Sequence, residues 1–214
     1  VDLSAFYLDI LKDRLYTSPA ASAARRSAQT VMHAILDTMA RLMAPILAFT
    51  ADEIWRFMPA RADRPESVHF AAMPEKNDAW LDPELAERWH KLLEVRAEVT
   101  KVLESARAEK VIGHSLDAQV TLTADDGLRP ILEPYAEELC RYFIVSSVRL
   151  VDAAPEGSVA AEQLDGLQIQ VAAAPGDKCQ RCWVHDPSVG RLEDHPEICA
   201  RCHGHLAEIE LPAE

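Results

Sequence analysis

The chain has 214 residues, 49% of them apolar, with 35 acidic against 22 basic side chains and a formal charge of −13 at pH 7. That length holds one or two domains with a sizeable core, and no run approaches the 18 consecutive apolar residues of a membrane span. The acidic balance argues against a general polyphosphate binder, which needs many Lys and Arg, while leaving room for a local basic patch on an acidic body.

The chain opens with VDLSAFYLDILKDRLY. This stretch has no basic start, apolar block or cleavage site, so it is not a signal peptide. A chain that begins inside a good helix without Met reads as a piece of a longer protein. Asp2 or Ser4 caps a first helix to about Tyr16, with Leu3, Phe6, Tyr7, Ile10, Leu11 and Leu15 at helical spacing. Thr17-Ser18-Pro19 ends it. A second helix runs from near Ser22 to about Ala44, with Val31, Met32, Ile35, Leu36, Met39, Leu42 and Met43 as one stripe. After a break at Pro45, Thr50-Ala51-Asp52-Glu53 has the pattern of a capping box opening a short helix, Ile54 to Met58. Residues 59–81, rich in Pro, Asp and Arg, read as a long loop.

Asp82-Pro83 is a strong helix start. The helix it opens runs to about Lys110, and its seam is Leu85, Trp89, Leu92, Arg96, Val99, Leu103 and Ala106. Arg96 is the one charge on that seam. It either lies along the apolar surface and pairs with a carboxylate, or reaches a phosphate. After Gly113 the period changes. Ala118 to Thr123 alternates as a half-buried strand. Asp125-Asp126-Gly127 is a turn, and Leu128 to Tyr142 is mostly helical, bent at Pro134. Ile144 to Val151 and Leu167 to Ala173 are further strands, with a small-residue loop over 152–164.

The last 36 residues carry four of the five cysteines. With no secretory signal, paired cysteines read as metal ligands in a reducing cytosol rather than as disulfides. Cys179-Gln180-Arg181-Cys182 and Cys199-Ala200-Arg201-Cys202 form two knuckles whose spacing suits one zinc ion with four thiolates. A shell filled by four sulfurs makes the zinc structural. So short a module takes most of its folding energy from the metal. Cys199-Ala200-Arg201-Cys202-His203 also fits haem attachment, but that leaves Cys179 and Cys182 unexplained. His185, His195, His203 and His205 are surplus to a filled shell. Cys140 reads as a small buried apolar residue. Trp183 and Arg181 have two readings: a lid and a charge offset for the zinc core, or a stacking platform and phosphate contact for an unstacked RNA base. Ile112-Gly113-His114 resembles part of a nucleotide signature but lacks its first His and follows a helix, so it has no catalytic role.

Taken together, these residues resemble a known family. DLSAFYLDILKDRLY at 2–16, the segment from Met43 through Pro45-Ile46-Leu47 to Trp55, and Val95-Arg96 to Ala118 come in the order found in the C-terminal part of bacterial isoleucyl-tRNA synthetases. CQRCW at 179–183 with CARC at 199–202 resembles that family's terminal zinc module. The resemblance implies a mainly α fold: a helical anticodon-binding bundle (1–110), a small α/β junction (111–175) and a zinc module (176–214). It implies a portion of a class I isoleucine–tRNA ligase that binds the anticodon stem-loop of isoleucine tRNA, with Arg181, Trp183 and Arg96 as tRNA contacts. The expected cofactors are one structural zinc here and ATP in the full-length enzyme only. This portion is expected to be non-catalytic, because the His-Ile-Gly-His and Lys-Met-Ser-Lys-Ser signatures are absent from it. The ligase is expected to be a cytoplasmic monomer with no membrane partner. The alternative from another class is a free-standing zinc-knuckle module that docks a partner protein.

Overall fold

The computed structural model describes residues 3–59, 62 and 64–208. Their backbone divides into two compact units, 20–82 and the remainder.

In the first unit, α2 (Ala23–Met43) starts where Ser22 accepts the Arg25 N–H at 3.2 Å, the capping chemistry expected of Ser. Met43 O accepts from Ile46 N and Leu47 N. Helix resumes as α3 (Ala48–Phe57). Thr50 therefore lies inside α3 and caps nothing. Asp52 instead accepts the Ser67 hydroxyl at 2.6 Å. The core here is small-residue packing: Ala40, Ala44 and Ala51 around Trp55, Met58 and Val68. Within the long Pro-rich loop, residues 64 and 65 are stapled to α3. Trp55 Nε1 donates to Pro65 O at 2.9 Å, and the Arg64 guanidinium lies 4.0 Å from the Trp55 ring centroid. Of the expected stripe on α2, Val31, Leu36, Met39 and Leu42 are exposed.

In the second unit, a π-helical turn (Leu3–Tyr7) runs into α1 (Leu8–Thr17). Ser4 lies within that turn, so it does not cap the helix, and Asp2 lies outside the described residues. The long helix α4 (Pro83–Ala108) buries Leu92, Val95, Val99, Leu103 and Ala106. It packs on a four-stranded sheet of order β2-β1-β4-β3. The strands are β1 (Ala118–Ala124), β2 (Ser147–Val151), β3 (Val159–Ala160) and β4 (Leu167–Ala173). β1 runs parallel to β2 and antiparallel to β4. Val120, Leu122, Leu132, Leu139 and Ile169 are fully buried with the α4 seam in one core. The helical stretch from 128 to 143 is three short pieces: α5 (Arg129–Leu132), a 3-10 turn and α6 (Leu139–Phe143).

One difference from the sequence reading has a clear cause. Strand β2 starts at Ser147 rather than Ile144, because Ile144 closes α6 in a left-handed conformation, φ 57°, and Val145 N bonds back to Cys140 O. The seams of α1 and α4 specify an apolar face but not its partner, and here that face joins the sheet's core. Among the described residues no helix is long and apolar enough to cross a membrane.

Candidate metal centre and adjoining groove

The last segment begins with a two-stranded hairpin, β5 (Asp177–Lys178) and β6 (His185–Asp186). Gly176 makes it possible: a Cβ there would lie 2.4 Å from the Asp186 and Pro187 backbone. The hairpin's turn is the first knuckle, closed by Trp183 N donating to Cys179 O at 2.9 Å. The second knuckle opens α7 (Ala200–Ala207), with Cys199 at its N-cap and Cys202 in its first turn.

These two elements gather the Sγ atoms of Cys179, Cys182, Cys199 and Cys202 within 4.8 Å of one another. Cys182 Sγ and Cys199 Sγ are 3.8 Å apart, and no disulfide forms among the five cysteines. Zinc–thiolate bonds of about 2.3 Å in a tetrahedron place sulfurs roughly 3.8 Å apart, so the donor set fits zinc. Cys179, Cys199 and Cys202 are buried, and Val189 and Ile198 pack over them. Hydrogen bonds from Cys182 and Cys202 pull Cys199 down to about 3, while Cys182, Cys199 and burial push Cys202 up against the pull of Arg181. Among the described residues no histidine joins the cluster. His203 pairs with Asp194 at 3.0 Å, and His185 with Gly176 O at 3.1 Å. Since all four sulfurs converge, haem attachment through Cys199 and Cys202 has no basis.

The cluster is tied to the rest of its unit by contacts that spacing did not reveal. Arg201, inside the second knuckle, grips Asp13 on α1 with two bonds of 2.5 and 2.8 Å. Burial pushes the Asp13 carboxyl up, but the bonds and charge of Arg201, with the Thr17 hydroxyl and the charge of Arg141, together leave it below its ordinary range. His205 Nδ1 meets Thr17 O at 2.9 Å, and Ser146 Oγ accepts His185 N–H at 2.7 Å. Arg201 stands in its knuckle where Arg181 stands in the other, which was the available signal.

Trp183 is not a lid. It is 60% exposed, and the zinc core is covered by Val189 and Ile198. Its φ is +67°, a conformation that costs a bulky residue about 1–2 kcal/mol and that glycine adopts freely. Lys178 Nζ lies 5.7 Å from its ring centroid. Arg181 bonds to Cys202, and its buried Nη1 has no hydrogen-bond partner. Both border a groove of about 710 Å³ between α1, the corner from α6 to β2, and the first knuckle. Arg96 is not brought there. Its Nε donates to Tyr142 O at 2.9 Å, and its guanidinium lies 5.0 Å from the Phe6 ring centroid. His114 accepts Leu116 N–H, and Asp117 reaches back to the His114 N–H, so this pair caps a turn.

Comparison with known proteins adds family relations. The model for the anticodon-binding domain of tRNA ligase matches residues 1–122, and that for the zinc finger found in FPG and IleRS matches 176–203. The isoleucine–tRNA ligase of Geobacter sulfurreducens is 51% identical over 202 residues, 94% of this chain and 22% of that protein. The ligase of Moorella thermoacetica is 50% identical over 214 residues, 99% of this chain and 23% of that protein. That of Caldanaerobacter subterraneus subsp. tengcongensis is 48% identical over 212 residues, 97% of this chain and 22% of that protein. The chain thus spans less than a quarter of the length of these relatives.

Proposed function

The chain belongs to the family of anticodon-binding domains of tRNA ligases, and from that premise we propose that it is the tRNA-recognition portion of an isoleucine–tRNA ligase. The exposure of Trp183 carries the reading: an indole held 60% open on a buried four-cysteine cluster, with Arg181 two residues before it. An aromatic face takes an unstacked base and a guanidinium takes phosphate. One structural zinc, held by Cys179, Cys182, Cys199 and Cys202, keeps both in place. Arg96 contributes less, since its Nε donates to Tyr142 O and its guanidinium lies over the Phe6 ring.

In this reading the partner is the anticodon stem-loop of isoleucine tRNA. Segment 1–110 supplies the helical surface, 111–175 the junction and 176–214 the zinc module. ATP-dependent activation of isoleucine belongs to the rest of the ligase, a cytoplasmic monomer. A protein-docking module is disfavoured by the match across both family segments.

The test is deletion of residues 176–214 from the full-length ligase. The KM for isoleucine tRNA should rise at least tenfold, with isoleucine-dependent pyrophosphate exchange unchanged. Unaltered tRNA kinetics would reject the proposal. A loss of pyrophosphate exchange would also count against it, placing the module's role in the chemistry itself.

A further inference from the structure

We propose that Asp117 is a positioning residue for tRNA recognition, holding the hairpin of the first knuckle in a fixed orientation on the sheet. This inference rests on the tRNA reading above and names the residue through which the rest of the unit aims the zinc module.

Three observations carry it. First, Asp117 meets the chain on both sides of the hairpin. Its backbone O accepts the Ala174 N–H at 2.7 Å, just before β5, and its Oδ1 lies 3.4 Å from Nε2 of His185 in β6. Second, the carboxylate is itself fixed and divides its work. Oδ2 accepts the Gly113 N–H at 3.1 Å and the His114 N–H at 2.7 Å. A Cβ at Gly113 would lie 3.2 Å from Oδ2, so glycine leaves room for that approach. Burial pushes the Asp117 carboxyl up, but the His114 and Gly113 N–H groups, with the charges of His185 and His114, leave it below its ordinary range. Capping the turn uses Oδ2, and Oδ1 is left for the hairpin. Third, a neighbouring contact grips the same hairpin residue. The Ser146 hydroxyl donates to Leu116 O, and its oxygen accepts the His185 N–H at 2.7 Å. His185 is thus held at its ring by Asp117 and at its backbone by Ser146. It lies in the strand that leaves the first knuckle, so fixing His185 fixes the direction in which the knuckle points. A recognition surface keeps its geometry only when its support is locked in this way.

The experiment uses the full-length, zinc-loaded ligase carrying Asp117→Ala, Asp117→Asn or His185→Ala, in aminoacylation of isoleucine tRNA and in hydrogen exchange. Asn keeps an oxygen for the Gly113 and His114 N–H groups. His185 Nδ1 lies 3.1 Å from the Gly176 carbonyl, which only accepts, so Nδ1 carries its proton there and Nε2 can accept from the Asn amide.

We expect each alanine variant to raise the KM for isoleucine tRNA roughly five- to tenfold through lost orientation. kcat and pyrophosphate exchange should hold, with one zinc per chain. Exchange protection should fall at residues 174 and 185 and persist through the rest of the module. Both alanine changes together should cost no more than either alone, and Asp117→Asn should keep the KM of the unaltered enzyme. An unchanged KM in either alanine variant would overturn the inference. So would an Asn variant as impaired as Ala, or loss of zinc and protection across the whole module, which would make Asp117 a residue of the fold alone. If Asp117→Ala does not fold, His185→Ala decides. If deletion of 176–214 raises the KM while the alanine variants do not, the tRNA reading stands and the positioning role falls. If the deletion also leaves the KM unchanged, both fall.

Discussion

The two knuckles have the same pattern, Cys-x-Arg-Cys, and opposite roles. In the second, Arg201 turns into its own unit and grips Asp13 through two bonds, and His203, which follows, pairs with Asp194. In the first, Arg181 bonds only within the cysteine cluster, to Cys202, and keeps a buried Nη1 without a hydrogen-bond partner, and Trp183, which follows the knuckle, is 60% exposed. The difference lies in the backbone. The second knuckle opens a helix, whose following residue stays in the right-handed turn. The first closes a hairpin, whose following residue is left-handed. One knuckle anchors and the other presents, and a shared metal makes the presentation rigid.

The largest test of that division removes what both knuckles share. Chelation of the metal, or Cys199→Ala, should unfold the segment from Asp177 to Ala207. Structural zinc supplies about 10–16 kcal/mol of apparent binding energy in small modules, more than so short a segment gains from its own core. Loss of one zinc per chain with loss of hydrogen-exchange protection over this segment is the expected result. A segment that stays protected without metal would break the comparison at its base.

Next come the anchors. Arg201→Ala leaves the Asp13 carboxylate half-buried without its partner, and should cost about 1–3 kcal/mol in urea unfolding, discounted for partial exposure. Arg181→Ala, at the matching position, should cost under about 1 kcal/mol and instead raise the KM for tRNA severalfold. Equal stability losses for the two would erase the distinction. The smallest expected effect is that of His203→Ala. Its pair with Asp194 lies largely at the surface and is screened by solvent, so the urea midpoint should barely move and tRNA binding should hold.

Much of the site was legible from residues alone. Two cysteine pairs separated by sixteen residues specify a donor set through local turns, and local turns are what sequence encodes most directly. Helices α2 and α4 were equally plain, because capping residues and periodicity act within a few turns. The assignment of α1 and α4 to the sheet's core was not. A seam states which face is apolar and leaves open what covers it. Thr50 misled for a related reason: its capping pattern is satisfied on paper, but the chain resumes helix earlier, at Ala48. The contrast between Arg181 and Arg201 was invisible, since both sit between the same residues and only long-range contact separates them. Ile144 was read as the first residue of a strand, and its left-handed turn emerges only from the packing of α6 against β2.

The most direct measurement is aminoacylation by the full-length ligase carrying Trp183→Ala, with zinc content verified at one per chain. An indole that presents itself to the anticodon loop predicts a KM for isoleucine tRNA raised roughly tenfold, within the range for loss of one stacked base, and unchanged isoleucine-dependent pyrophosphate exchange. Unchanged tRNA kinetics in that zinc-loaded variant would contradict the account.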